Sequence, residues 1–274
     1  MPTQLPSTCA LGAILPRADP RDALVMAPRL APTHKTLSSL PPGSIVGTSS
    51  VRRSAQIARL YPHLHFADVR GNVGTRLAKL DAEPAEHGDG GGEGKGVRYS
   101  CLILAAAGLE RLGFGERITQ YLDSREGGLL HAVGQGALGV EIRAGDERMQ
   151  KLLEPLGDRR TGLACLAERS LMRTLEGGCS VPIGVETEWV EPHDGAKGHG
   201  EEEGKGEVLL MRAMVVSLDG RDHVEGERRG EVRTTEQADD FGWTMARDLV
   251  QKGAGRILET INLNRDVIEK QDGA

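Results

Sequence analysis

An α/β fold carrying a smaller α+β module at its carboxyl end is predicted by three features of this 274-residue sequence. Apolar runs of strand length alternate with helical stretches between Gly43 and Phe114, the pattern that builds a mostly parallel sheet with crossover helices. After about residue 155 the alternation stops, and a long helix, three strand-like runs and a final helix follow. Two tracts rich in Gly and charge, 82–96 and 191–206, interrupt the chain, with strand-like runs resuming on either side.

Taken in order, Ser44 to Thr48 reads as a short buried strand that leads through Ser49-Ser50 into a helix over 51–60. Leu64 to Val69 is the next strand, Arg70-Gly71-Asn72 its corner and 73–80 its helix; Tyr99 to Leu104 and 105–112 repeat the unit. Thr161 to Leu175 is helical, with Leu163, Leu166, Leu171 and Leu175 near helical spacing, and Gly177-Gly178 stops it. Strands are expected at 181–190, 207–218 and 222–232, and a helix at 235–258. The two Gly-rich tracts hold too little apolar surface to offset their ordering entropy, so they are expected to be flexible insertions within domains.

Aromatic residues make up 3% of the chain, so its cores must be built from Leu, Val, Ile and Ala. The net charge of −6 argues against a general nucleic-acid binder, which needs a basic face against phosphates. No apolar run approaches the roughly 18 residues of a membrane span. Met1-Pro2-Thr3-Gln4 does not open a signal peptide. Cys9, Cys101, Cys165 and Cys179 have no metal-site spacing and are expected to be reduced thiols of a cytoplasmic protein. Cys101 and Cys165 fall in apolar strand and helix patterns and are expected to be inert core residues.

Four arginines carry the chemistry. Arg52 and Arg53 lie in the first turn of their predicted helix, and Arg76 in the first turn of the next, with Arg70 just before it. A helix amino end disfavours cations by about 0.3–1 kcal/mol each. Yet these ends sit at the carboxyl edge of a parallel sheet, where α/β proteins bind ligands, and their free N–H groups favour anions. Arginine forks there suit several carboxylates or phosphates. The alternative is four solvated surface charges.

Two further motifs stand out. Gly134-Gln135-Gly136-Ala137-Leu138-Gly139 matches G-x-G-x-x-G, but it runs into a strand-like Val140-Glu141-Ile142 instead of opening a helix. A close backbone passage at a domain crossing or over a ligand explains its glycines better than a nucleotide site. Cys179 lies between Gly177-Gly178 and Ser180-Val181-Pro182, on a short loop that leaves its sulfur accessible. Such a thiol can be a nucleophile, a covalent tether or an incidental loop residue.

VGTSSVRRSAQIARLYP, DVRGNVGTRLAKLD, LILAAAGLERLGF, HAVGQGALGVEIR and LEGGCSVPIG occur in that order, with DPRDALV at 19–25. Together they resemble the hydroxymethylbilane synthase (porphobilinogen deaminase) family over nearly the whole chain outside the two Gly-rich tracts. The resemblance implies a transferase of haem biosynthesis that condenses four porphobilinogen molecules with release of ammonia. It implies a dipyrromethane cofactor bound by thioether to Cys179. Cofactor and substrate carboxylates would be bound by Arg52, Arg53, Arg70, Arg76 and Arg111, with Thr48, Ser50 and Gln135 as further polar contacts. It also implies a monomer, without nucleic-acid or membrane partners, made of two periplasmic-binding-protein-like domains with parallel or mixed sheets and a C-terminal α+β domain with a small antiparallel sheet. On that scheme 1–32 and 129–152 are the remnant of an incomplete first domain, 33–128 the arginine-rich second, and 153–274 the third, with hinges near 28–43 and 126–134. The family's catalytic aspartate lies in a segment resembling H-S-x-K-D-x-P-T, and Met1-Pro2-Thr3 matches the residues just after it. No catalytic residue is therefore assigned within this chain, and an inactive or poorly soluble polyanion-binding fragment is the alternative expectation.

Overall fold

The computed structural model describes residues 3–82, 97–175, 181–191 and 207–261. Cys179 and nearly all of both Gly-rich tracts lie outside the described residues, so the expectations placed on them have no structural counterpart.

The chain opens with β1 (Cys9–Ile14), then β2 (Asp22–Met26), β3 (Ile45–Gly47), α1 (Val51–Leu60), β4 (His65–Ala67), α2 (Val73–Asp81), β5 (Cys101–Ala105), α3 (Ala106–Arg111) and β6 (Gln120–Leu122). Five of these strands form one sheet in the order β4-β3-β5-β2-β6. The β3 pairings with β4 and β5 are parallel, as the strand–helix alternation predicts, whereas β2 runs antiparallel to both β5 and β6.

The placement of β2 corrects the expected first boundary: residues 22–26 belong to the central sheet and not to the 1–32 remnant. The cause is burial on both faces. Every residue from Asp22 to Met26 is buried, as in a strand covered on both sides. Successive side chains alternate between two cores: Ala23 and Val25 join Leu102, Leu104, Leu77 and Leu109 on the side of α2 and α3, while Leu24 and Met26 join Ile103, Val46 and Ile57 of α1 on the other. The crossing into the sheet therefore falls at 15–21. The expected hinge segment 28–43 is instead anchored by Leu37 and Leu40 in the α1-side core.

A separate two-stranded antiparallel sheet pairs β1 with β7 (Gly139–Arg143) and is followed by α4 (Glu147–Leu153). Leu138, Leu152 and Leu156 stay exposed around it. The G-x-G-x-x-G hexamer is a turn that delivers the chain into β7. Gly134 and Gly136 have positive φ, and a Cβ on Gly136 would lie 2.5 Å from the Ala18 carbonyl oxygen. The glycines thus serve a close backbone passage.

The carboxyl-terminal module consists of α5 (Arg159–Thr174), β8 (Ile183–Val190), β9 (Val208–Val216), β10 (His223–Gly230) and α6 (Thr235–Gln251). Its sheet is antiparallel, in the order β10-β9-β8. One face packs on α5 and α6 through Leu163, Leu171, Val185, Met211 and Leu249. The two helices approach so closely that a Cβ on Gly242 would sit 2.0 Å from the Ala167 carbonyl oxygen. The final helix expected over 235–258 is broken at Lys252-Gly253, where Gly253 takes φ +108°, and helix resumes over 254–261.

Candidate functional site

The site grows from the β3–α1 corner. Ser50 caps α1, its hydroxyl accepting the Arg53 N–H, and the Ser50 N–H donates to Thr48 Oγ1 at 3.2 Å. Arg52 and Arg53 follow at once, and both guanidiniums are buried against Asp22, the first residue of β2. Arg52 Nη1 donates to Asp22 Oδ2 at 2.7 Å, and Arg53 reaches Asp22 Oδ1 with Nη2 at 2.7 Å and Nε at 2.9 Å. Arg52 Nη1 also donates to the Leu130 carbonyl at 2.6 Å, and Arg53 Nη1 to the Ile103 carbonyl at 2.9 Å. Gln135 completes the cluster: its Nε2 donates to Pro20 O at 2.6 Å and Asp22 Oδ1 at 3.0 Å.

Burial alone would raise the Asp22 carboxyl pKa, but the two guanidiniums outweigh it and hold the group well below the ordinary carboxylate range. Burial likewise opposes the Arg52 charge, and Asp22 supports it. The shared Asp22 carboxylate offsets the cost of two cations at a helix amino end, and one carboxylate against two guanidiniums still leaves the corner net positive.

A second buried pair sits beside the first. Arg17 holds Glu168 of α5 through Nη1–Oε1 at 2.6 Å and Nη2–Oε2 at 3.2 Å, and its Nε donates to the Gln135 carbonyl at 2.8 Å. Glu168 also accepts from Thr187 of β8 and from the Gly134 N–H. Burial would raise the Glu168 pKa, and Arg17 brings it below the ordinary value. This pair ties the hexamer turn to the carboxyl-terminal module. His131 is buried nearby with Nδ1 3.0 Å from the Ala132 carbonyl; its Nε2 has no hydrogen-bond partner among the described residues. Burial pushes its pKa down against the opposing pull of Glu168.

Between the two-stranded sheet, α1 and α5 lies a cleft of about 630 Å³. Ser50 and Arg52 line one part, Gly134 of the hexamer another, and Cys165, Arg169 and Val181 the wall of the carboxyl-terminal module. Val181, in this wall, stands two residues beyond Cys179 in the chain. Cys165 faces the same cleft, but burial pushes its thiol up to about 12, as it does for Cys101; both are inert at neutral pH.

The structure gathers Arg52, Arg53 and Gln135 around Asp22, with Ser50 capping the helix that carries both arginines and Thr48 bonded to Ser50. It does not bring Arg70 and Arg76 into that cluster, a correction to the expected convergence of four arginines. The Arg70 side chain is 83% exposed and reaches Asp68 at 3.3 Å, while Arg76 Nε donates to the Gly71 carbonyl at 2.8 Å. Neither lines the cleft. The reason is topological: β4 is an edge strand, so the corner after it faces water, whereas β3 lies between β4 and β5 and its corner reaches across β5 to Asp22 of β2. Arg111 is exposed and donates from Nη2 to the Gly136 carbonyl at 2.7 Å. The sequence alone does not single out Asp22, Arg17, Glu168 or Arg169. The one available signal was an acid opening an otherwise apolar strand in DALVM.

A buried guanidinium, a hydroxyl and a second arginine over apolar walls such as Leu11, Ile14 and Met172 fit a ligand with apolar rings and several carboxylates. The fold and site together define a mixed α/β protein with an arginine-lined cleft beside its antiparallel carboxyl-terminal sheet. Residues 1–151 match the model of the "Porphobilinogen deaminase, dipyromethane cofactor binding domain" and residues 162–251 that of the "Porphobilinogen deaminase, C-terminal domain". A porphobilinogen deaminase of Yarrowia lipolytica is 52% identical over 263 residues, covering 96% of this chain and 69% of the relative. Those of Neurospora crassa and Saccharomyces cerevisiae are 48% and 47% identical, each match covering 97% of this chain and 72% of the relative. The chain belongs to the porphobilinogen deaminase family. Among the described residues no helix is long and apolar enough to cross a membrane.

Proposed function

We propose that this chain works as a hydroxymethylbilane synthase in the cytoplasm, a monomeric transferase that joins porphobilinogen units with release of ammonia. Its cofactor would be a dipyrromethane held by thioether to Cys179, in a cleft between the five-stranded lobe, read as periplasmic-binding-protein-like, and the carboxyl-terminal module. The observation that carries this reading is the buried Arg52 guanidinium lining the same cleft as Val181, two residues from that cysteine.

The dipyrromethane supplies the primer to which new pyrrole units are added. Everything else falls to the chain. Each porphobilinogen brings two carboxylates, so a growing oligomer accumulates negative charge that Arg52 and Arg53 receive in a low-dielectric setting, where ion pairs are strong. Asp22 fixes both guanidiniums before substrate arrives. Held as a carboxylate by two arginines, Asp22 orients cations and does not transfer protons. Ser50, with Thr48 behind it, offers a hydroxyl to a carboxylate, and Gln135 keeps the Arg52 head and the hexamer turn in register. Arg70, Arg76 and Arg111, facing water, suit the carboxylates of pyrrole units farther from the primer.

Mass spectrometry of the purified 274-residue chain tests this. We expect a chain heavier by a dipyrromethane, the extra mass mapping to the peptide that contains Cys179, lost in Cys179→Ser, and ammonia released from added porphobilinogen. A chain of unmodified mass that releases no ammonia would reject the transferase reading and leave a polyanion-binding fragment.

A further inference from the structure

Gln56 lies one helical turn beyond Arg52 on α1, on the same face, and it is fully buried. A buried side-chain amide must satisfy its own donors and acceptor, and this one does so on a single residue. Gln56 Oε1 accepts the Leu130 N–H at 2.8 Å, and Gln56 Nε2 donates to the Leu130 carbonyl at 3.1 Å. The amide pairs with Leu130 as a neighbouring strand would. That same carbonyl accepts from Arg52 Nη1 at 2.6 Å. With Asp22 as its other acceptor, Nη1 is fully committed within the protein. Among the described residues Arg52 Nη2 has only a 3.4 Å contact to Gln135 Oε1 and is the part of the head left for a ligand.

The carboxyl-terminal module meets the same point. The Val185 N–H donates to the His131 carbonyl at 2.9 Å, next to Leu130. A Cβ on Gly184 would lie 2.4 Å from Gln56 Nε2 and 2.8 Å from Leu130 Cβ. The arginine helix, the crossing segment and the start of β8 therefore join around one glutamine amide. Glycine at 184 is required there by close approach, its φ being outside the positive range.

We infer that Gln56 is a positioning residue for carboxylate binding: it fixes the Leu130 peptide so that its carbonyl holds Arg52 Nη1 and leaves Nη2 free for a ligand in the cleft. Methionine matches its shape without its hydrogen bonds, and glutamate keeps the acceptor for the Leu130 N–H while losing the donor. The inference rests on the proposed function for its ligand but not for its geometry, so two kinds of readout separate their failures.

In the full chain carrying Gln56→Met, we expect Leu130 amide exchange and Arg52 side-chain N–H exchange each to quicken by about tenfold, with β9 amides unchanged. Calorimetric affinity for porphobilinogen should fall by about tenfold, and in an Arg52→Lys background the same change should add almost nothing, because the two act through one contact. Gln56→Glu should fall between wild type and Gln56→Met, and it carries the test if the methionine variant does not fold. Faster Leu130 exchange with unchanged Arg52 exchange would reduce Gln56 to a structural role and overturn the inference. Independent, additive losses of affinity in the double variant would also overturn it. If the wild-type chain does not bind porphobilinogen, the proposed function fails, while the exchange of the Arg52 head still decides the role of Gln56.

Discussion

The two strand–helix corners that carry arginines look alike in sequence and differ in the folded chain. At the β3–α1 corner the Arg52 and Arg53 side chains are 7% and 12% exposed and share the fully buried carboxylate of Asp22. At the β4–α2 corner Arg70 is 83% exposed, and its partner Asp68 is 64% exposed. Local pattern placed both sets of cations at helix amino ends. What separates them is the strand next door: β3 has neighbours on both sides, and β4 lies at the sheet edge. The same residue type thus acts as a desolvated anchor in one corner and as a solvated cation in the other.

The largest effect should come from removing the acid that makes the inner corner possible. Asp22→Ala leaves two buried guanidiniums without their carboxylate, and losing one partner of a buried pair costs about 3–5 kcal/mol. Urea unfolding should show that loss; a change below about 1 kcal/mol would mean that the inner corner is as solvated as the outer one. Next in size is Gly136→Ala, where positive φ and the 2.5 Å approach to the Ala18 carbonyl should together cost about 1–3 kcal/mol in the same assay.

A smaller effect is expected from pH. His131 is surrounded by Glu168 and Arg17 at the module junction, Arg52 of α1 and Asp19 of the 15–21 crossing. Its folded pKa lies below the 6.5 of an exposed imidazole, because burial disfavours the cation. Below pH 6.5 the unfolded chain takes up a proton that the folded chain refuses, so stability falls until the folded value is passed and then levels off. The folded carboxyls of Asp19, Asp22 and Glu168 all lie below their ordinary values of 3.8, 3.8 and 4.5, and their contributions are lost only at more acidic pH. The Tm should therefore drop between pH 7.5 and pH 5.5, and His131→Phe should flatten that drop. An identical pH slope in the variant would assign the loss elsewhere. The smallest effect belongs to the outer corner: Arg70→Ala should change stability by no more than about 0.5 kcal/mol.

The same contrast shows what the sequence can disclose. The β3–α1 unit was legible almost residue for residue, since a buried strand, a Ser cap and an amphipathic helix are local signals. The role of β2 was not. Its partners β5 and β6 lie far along the chain, and only that pairing brings Asp22 under Arg52 and Arg53. Gln56 was illegible for the same reason: its amide is explained by Leu130, 74 positions away. The hexamer could be rejected as a nucleotide site because it runs into a strand, while its actual contact, the Ala18 backbone, is again remote. The break at Gly253 went unread because the helical pattern resumes beyond it. The motifs that carry the family resemblance include the arginines of both corners, but they could not distinguish arginines held by protein from arginines exposed to solvent.

The claim that both corners serve one polyanionic ligand, one rigidly and one from solvent, is tested most directly by porphobilinogen calorimetry on Arg70→Ala/Arg76→Ala, with its Tm recorded in the same buffer. We expect affinity to fall by about tenfold or more at nearly unchanged Tm, since exposed cations contribute to binding without supporting the fold. Wild-type affinity in that variant would contradict the account and confine carboxylate recognition to the corner held by Asp22.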